Sequence, residues 1–260
     1  MGILNITPDS FYSAGRVESE KTLLEKAKHM LEEGAAILDV GGYSSRPGAT
    51  DISEEEEMNR VIPSIKLLTA EFPTTLISVD TFRANVAVKA IEAGARMIND
   101  ISAGELDENM FQVVASLKVP YVAMHMKGNP QNMNSQSKYE NLLLGISRYF
   151  QNKLFKLHSL GITDIVIDPG FGFAKTREQS FYLLDNLEIL KSLGAPIMVG
   201  ISRKSLIYKT LNVNPEEALN GTTVLNTISV LKGASILRVH DVKEAVEIVK
   251  LTNEIRKGLN

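Results

Sequence analysis

Cysteine is absent from the 260 residues, which excludes disulfides, thiolate metal sites and a cysteine nucleophile. Basic residues are not in excess either: 28 Lys and Arg face 31 Asp and Glu, a net charge of -3. No broad cationic surface follows, so nucleic acid is a poor partner, although a local Arg and Lys cluster can still hold a small anion. No apolar run approaches about 18 residues, and no basic-then-apolar leader opens the chain. Neither a membrane span nor a secretory signal is therefore expected. No Pro/Ser/Gly-rich or charged spacer divides the chain, and one domain over residues 1–260 is the simplest reading. Together these absences favour a soluble, cytoplasmic enzyme. The chain opens directly on the strand-like Met1-Gly2-Ile3-Leu4-Asn5, which leaves an upstream extension or fused partner open.

Eight short segments rich in Ile, Val and Leu read as strands: Gly2–Ile6, Ala36–Val40, Leu76–Asp80, Arg96–Asn99, Tyr121–Met124, Ile165–Asp168, Ile197–Gly200 and Ile236–Val239. Near-continuous apolar runs suit parallel strands covered by helices. The intervals carry helical spacing, as in Leu23, Leu24, Ala27, Met30 and Leu31, or Leu142, Leu143, Ile146, Tyr149, Phe150, Leu154 and Leu157. Ser53 with Glu56 reads as a capping box, and Asn214-Pro215-Glu216 as a cap followed by a first-turn proline. Pro63 is expected to kink or interrupt its helix. The Glu54–Glu57 run reads as favourable charge at a helix N-terminus.

A polar or charged residue closes each strand: Asn5, Asp39, Asp80, Asn99, His125, Asp168, Ser202 with Lys204, and Arg238 with His240. A (β/α)8 TIM barrel builds its site this way, at the C-terminal ends of the strands, and about 250 residues suffice for one. An open doubly wound sheet is the rival, but it would concentrate function at one switch point. Here functional-looking residues follow nearly every strand.

Three loops are rich in Gly and Pro or in hydroxyl side chains: Asn5-Ile6-Thr7-Pro8-Asp9-Ser10-Phe11, the stretch from Asp39 to Gly48, and Asp168-Pro169-Gly170-Phe171-Gly172-Phe173. With GILNITPDSF, DVGGYSSRPGA, SVDT, INDISAG, MHMKG, DPGFGFAK, GISRKS and RVHDV in this order, the chain resembles the dihydropteroate synthases from residue 2 to about residue 249. One such string would be weak evidence; eight in register on a barrel rhythm are specific.

The resemblance implies a Mg2+-dependent transferase of folate biosynthesis. Such an enzyme joins 6-hydroxymethyl-7,8-dihydropterin diphosphate to 4-aminobenzoate and releases pyrophosphate. It also implies a homodimer and a sulfonamide target. By resemblance, Asp168 accepts from the guanine-like edge of the pterin, Asn99 lies beside it, Lys204 meets the carbonyl side and Asp80 the opposite edge. Met124 and Phe173 would form apolar walls, while Gly172 and Gly200 leave room for the flat ring. Arg238, His240 and Asn5 would hold the diphosphate, with Arg46 as a further oxyanion partner. Asn5 oxygen would help ligate Mg2+, most ligands coming from the diphosphate and water. Ser45, Arg46, Pro47, Phe173 and Ser205 would shape the 4-aminobenzoate pocket.

Each residue also has a plain structural reading. Asp168 could shape a turn before Pro169, Asn99 or His240 could cap, Met124 could be core, Arg46 could be solvated, and Ser205 could cap the helix that starts there. His29 and His158 read as solvent-facing or packing residues, and His125 has no assigned role.

The chain departs from the family pattern in places. The first loop reads Ser10-Phe11-Tyr12-Ser13-Ala14-Gly15-Arg16 and lacks a usual acidic residue, which puts the detail of loop closure in doubt. Tyr43 stands for a common Glu and Ser45 for a common Thr. Two other readings compete. A methyltetrahydrofolate–corrinoid methyltransferase would not need Asn5, Arg238 and His240 as a diphosphate site. A non-catalytic pterin-binding paralogue would bind pterin without releasing pyrophosphate.

Overall fold

A computed structural model describes residues 1–6, 16–44 and 50–257. Its strands are β1 (Gly2–Asn5), β2 (Ile37–Gly41), β3 (Leu76–Asp80), β4 (Met97–Asp100), β5 (Tyr121–Met124), β6 (Ile165–Asp168), β7 (Met198–Val199) and β8 (Ile236–Leu237). The helices are α1 (Arg16–Glu32), α2 (Glu54–Glu71), α3 (Ala84–Glu92), α4 (Met110–Leu117), α5 (Leu142–Ser159), α6 (Arg177–Asp185), α7 (Ser205–Leu211), α8 (Leu219–Leu231) and α9 (Val242–Lys257). Two helices, not one, separate β7 from β8.

Strands β1 to β6 pair in sequential parallel order, and β7 pairs with β8. Single parallel bridges, Ile167 to Ile197 and Gly2 to Val239, join the two groups and close the ring. Ile167 N donates to Pro196 O at 2.9 Å, and Ile3 N donates to Val239 O at 3.0 Å. The expected eight-stranded barrel is present, with its last two strands shorter than the apolar runs suggested.

Alternation inside the apolar runs separates two cores. Leu38, Val40, Ile77, Val79, Ile98, Tyr121, Ala123, Ile165 and Ile167 belong to the shell between strands and helices. Met97, Val122, Val166 and Met198 form a second cluster, joined by Met1, Ile37, Leu76 and Ile236, which fills the lower barrel. Continuing that inward parity up each strand gives Asn5, Gly41, Asp80, Asn99, Met124, Asp168, Gly200 and Arg238. The rim inventory is therefore a parity class, the layered interior of a packed barrel ending in polar groups.

Local expectations fare unevenly. Ser53 Oγ accepts from Glu56 N at 3.1 Å, but Glu56 turns to an ion pair with Arg60 instead of completing the box. Asn214 caps a short 3-10 turn, Pro215–Glu217, with a capping box to Glu217. Pro63 does not interrupt α2. It is exposed, as is Asn59, whose carbonyl it deprives of a donor, so water can replace the missing bond. The Glu54–Glu57 run fills the first turn of α2, as expected, and within it Glu57 is fully buried and ion-paired with Arg83. No helix of the described residues is long and apolar enough to cross a membrane.

Candidate active site

The rim is a connected polar network. Asp39 Oδ2, completely buried, accepts from Asn99 Nδ2 at 3.0 Å and from Arg238 Nε at 2.6 Å. Arg238 Nη2 donates to Asp80 Oδ2 at 2.6 Å. One guanidinium thus bridges β2 and β3 from the end of β8. Asp39 Oδ1 is buried with no hydrogen-bond partner.

Asp168 Oδ1 accepts from Gly170 N at 2.7 Å. Lys204 Nζ donates to Phe171 O at 2.6 Å and lies 4.6 Å from the Phe173 ring centroid. Phe173 packs with Ile101, Met124, Met126, Met133 and Ala174 in a rim cluster. A Cβ on Gly172 would meet Lys204 Cδ at 3.6 Å, and one on Gly200 would lie 3.9 Å from Asp168 Oδ2. These glycines keep space open between the polar side chains. Strand register sets Asn5, Gly41, Asp80 and Asn99 in one row.

Burial dominates the electrostatics, since three carboxylates and two cations share this region. It pushes Asp80 up to about 7 although Arg238 opposes the shift. Burial also raises Asp168, against Lys204 and the Gly170 amide. It pulls Lys204 down to about 8, with Asp168 opposing. For Arg238 burial also acts downward, but Asp39 and Asp80 outweigh it and the net shift is upward.

His240 is exposed, with Nδ1 3.2 Å from Ser202 Oγ; Ser202 Oγ also accepts from His240 N. Beside it Asp241 takes Arg203 in a two-point ion pair, at 2.6 and 3.0 Å, which ties the β7 and β8 loops together. Ser205 is exposed in the first turn of α7 and does not cap it; Lys204 occupies the N-cap position. Ser45, Arg46 and Pro47 lie outside the described residues, as do Thr7 to Gly15 of the first loop. Tyr43, at the edge of the second loop, accepts from Gln131 Nε2 at 2.9 Å and meets Phe82 edge-on. His29 and His158 are exposed, as expected.

No group of three or more His, Cys, Asp or Glu among the described residues could hold a metal ion. A metal here would have to draw most of its ligands from elsewhere.

A family model described as pterin binding enzyme matches residues 1–240. A dihydropteroate synthase from Synechocystis is 43% identical over 98% of this chain and 89% of its own length. The chain belongs to the dihydropteroate synthase family. A Schizosaccharomyces pombe folic acid synthesis protein is 46% identical over 98% of this chain, which spans only 36% of that longer protein. Among solved structures, a Yersinia pestis dihydropteroate synthase in a sulfonamide drug complex superposes with a TM-score of 0.92. It is 39% identical, covering 99% of this chain and 94% of that one. A Xanthomonas albilineans dihydropteroate synthase with 4-aminobenzoic acid gives a TM-score of 0.91 and 37% identity, over 98% of this chain and 92% of that one.

Sequence reasoning assigned no role to Asp39, although it ties two candidate subsites together. The available signal was parity: Asp39 stands two residues before Gly41 and so shares its inward face. Asp100, one residue past Asn99, faces the other way. It accepts from Tyr121 Oη at 2.6 Å and from the Ser102 and Gly104 amides at 2.8 Å, and so organises the β4 loop.

Proposed function

We propose that this chain condenses 6-hydroxymethyl-7,8-dihydropterin diphosphate with 4-aminobenzoate to give 7,8-dihydropteroate and pyrophosphate. One observation carries the reading: the Asp39–Arg238–Asp80 bridge and the Asp168, Asn99 and Lys204 set share one barrel rim, in a chain of this family.

The donor inventory indicates how substrates would sit. With Asn99 Nδ2 engaged by Asp39, the Asn99 carbonyl is turned to accept from a ring N–H. Asp168 has Oδ2 left for the guanine-like edge, since Oδ1 takes the Gly170 amide. Lys204 spends one N–H on Phe171 O and keeps two for the ring carbonyl and nitrogen. Asp80 faces the opposite edge. Met124 and Phe173 enclose the ring faces, with Gly172 and Gly200 giving clearance. Arg238 keeps Nη1 for the diphosphate, with Asn5, His240 and Arg46 as its further partners. Ser45, Arg46, Pro47, Phe173 and Ser205 frame the 4-aminobenzoate.

The C–O bond of the exocyclic methylene breaks first, its electron pair leaving with the diphosphate. The electron-rich dihydropterin carries the cation at that methylene. The neutral arylamine then forms the C–N bond and loses a proton. Positive charge where the leaving oxygen develops is the protein's main contribution. The site must also keep water from the cation; solvent-trapped 6-hydroxymethylpterin as the dominant product would contradict that exclusion.

Mg2+ fits as the companion ion. Asn5 would offer it a hard amide oxygen at the rim, and diphosphate and water would supply the remaining ligands, in keeping with the habit of this ion. When bound it neutralises diphosphate charge. A homodimer is also proposed: α8 and α9 expose Val224, Leu231, Leu251 and Ile255, apolar area that a second copy could cover. Sedimentation tests that, with a monomer at micromolar concentration as the contrary result. A cytoplasmic location accords with the cysteine-free composition. Dihydropteroate formation from the two purified substrates tests the main reading; tight pterin binding without turnover contradicts it.

A further inference from the structure

Lys175 is a buried lysine outside the rim network, and no carboxylate among the described residues lies within ion-pair distance of it. Its Nζ lies 2.9 Å from His125 Nδ1, 3.0 Å from Gly170 O and 3.0 Å from Phe173 O. An ammonium has three donors and no acceptor, so these three partners fill it. Burial pulls Lys175 down to about 7, with the more distant Asp168 opposing and the Lys204 and Lys127 charges adding to the shift, while the two carbonyl oxygens at Nζ favour the charged form. Because the ammonium can only donate, His125 Nδ1 must accept, which places the ring proton on Nε2. Burial agrees, since it holds His125 well below the usual imidazole range, and the Lys175 and Lys127 charges act in the same direction. His125 is itself fixed: its ring stands edge-on to Tyr149 at 4.7 Å, and its amide donates to Asp168 O at 2.8 Å.

The segment clamped in this way is conformationally costly. Gly170, Gly172 and Ala174 alternate in the left-handed region, at φ of 70°, 79° and 48°. For Ala174 that region costs about 1–2 kcal/mol. The same segment carries the Phe171 carbonyl that takes Lys204, the Phe173 ring beneath Lys204, and the Gly170 amide that takes Asp168. His125 directly follows Met124, the facing apolar wall. One buried ammonium thus joins the two loops that carry both walls of the cleft.

We propose that Lys175, with neutral His125 as its acceptor, is a positioning residue that holds the loop between β6 and α6 in the shape that forms the pterin pocket. It acts through Phe171, Phe173 and Asp168 and touches no substrate. The proposal rests on the reading of this cleft as the pterin subsite.

The test uses the full chain and three variants: Lys175→Met, which keeps length but removes all donors; His125→Leu, which removes the acceptor; and His125→Asn, whose amide oxygen can take the place of Nδ1. Steady-state kinetics and equilibrium binding of the pterin diphosphate are measured for each. Lys175→Met and His125→Leu are expected to raise the KM and Kd for the pterin diphosphate about 10-fold or more. Their kcat should stay within about 3-fold, and the KM for 4-aminobenzoate at saturating pterin within about 2-fold. His125→Asn should restore pterin affinity to within about 3-fold of the parent. If Lys175→Met does not fold, the His125 pair decides alone. Unchanged pterin affinity in His125→Leu, equal damage from Asn and Leu, or joint loss of kcat and both KM values would each overturn the clamp. A parent protein that fails to bind the pterin diphosphate overturns instead the functional reading on which the clamp rests.

Discussion

Asp39→Asn separates the roles of charge and shape at the centre of the rim. In the parent, one carboxylate oxygen serves both Asn99 and Arg238, and the other is buried without a partner. The amide can put its oxygen in the first position, and its NH2 then takes the buried place of the unpartnered oxygen. The Asn99 bond becomes an ordinary one and the Arg238 bond loses its ion-pair component, about 1 kcal/mol each, and a buried amide NH2 in place of the unpartnered oxygen adds about 1 kcal/mol or more. Relief of carboxylate burial offsets part of this, and Asp80 still holds Arg238. The net cost is about 2 kcal/mol, which corresponds to a Tm about 4–8 °C lower for a chain of this size. Function should suffer as well, because the substituted amide can accept or donate and no longer fixes which end of the Asn99 amide faces the pterin. The KM for the pterin diphosphate should rise about 10-fold. Thermal and urea unfolding read the first effect, and steady-state kinetics at saturating 4-aminobenzoate the second. A Tm within about 1 °C of the parent together with an unchanged pterin KM would refute the assignment of Asp39 as the joint between the subsites.

Further outcomes follow from other parts of the molecule. Gly170→Ala drives a Cβ into the His125 carbonyl oxygen at φ 70°, whereas Gly161→Ala at φ 78° meets nothing within 4 Å. Gly161→Ala should cost about 1 kcal/mol and Gly170→Ala roughly 3 kcal/mol or more, read by urea unfolding, and equal costs would contradict the packing described. The Asp80 carboxyl, raised to about 7, binds its proton more tightly folded than unfolded. Its contribution to stability is therefore full below its unfolded value, about 4, and lost as pH rises through about 7. Asp80→Asn should flatten that part of the stability profile; an unaltered slope would contradict the shift. Asn5→Ala should raise the Mg2+ concentration needed for half-maximal velocity about 10-fold, and an unchanged requirement would remove Asn5 from the ion's ligands.

The barrel was legible because its strands are short, apolar and punctuated by polar ends. Their observed bounds fall within two residues of the runs read from sequence. Most of the rim could be read for the same reason: Asp80, Asn99, Asp168 and Arg238 each end or follow a run with inward parity. What stayed hidden depends on distant partners. Arg238 is 199 residues from Asp39, so parity could put Asp39 on the inner face but could not name its partner. Lys175 drew no reading of its own from the sequence, since only the fold brings His125 to it, 50 residues away in the chain. Glu57 sat in an acidic run read as favourable charge at a helix N-terminus, and its burial against Arg83, 26 residues on, could not be read from that run. Pro63 shows the converse, a local rule yielding to an exposed position where water can take the missing donor's place.

The most direct measurement is pyrophosphate release by the purified protein given the pterin diphosphate and Mg2+, with and without 4-aminobenzoate. The account predicts release that depends on 4-aminobenzoate and matches dihydropteroate formed, mole for mole. Saturable pterin binding with no pyrophosphate released under either condition would contradict it and leave a pterin-binding protein without the transferase chemistry.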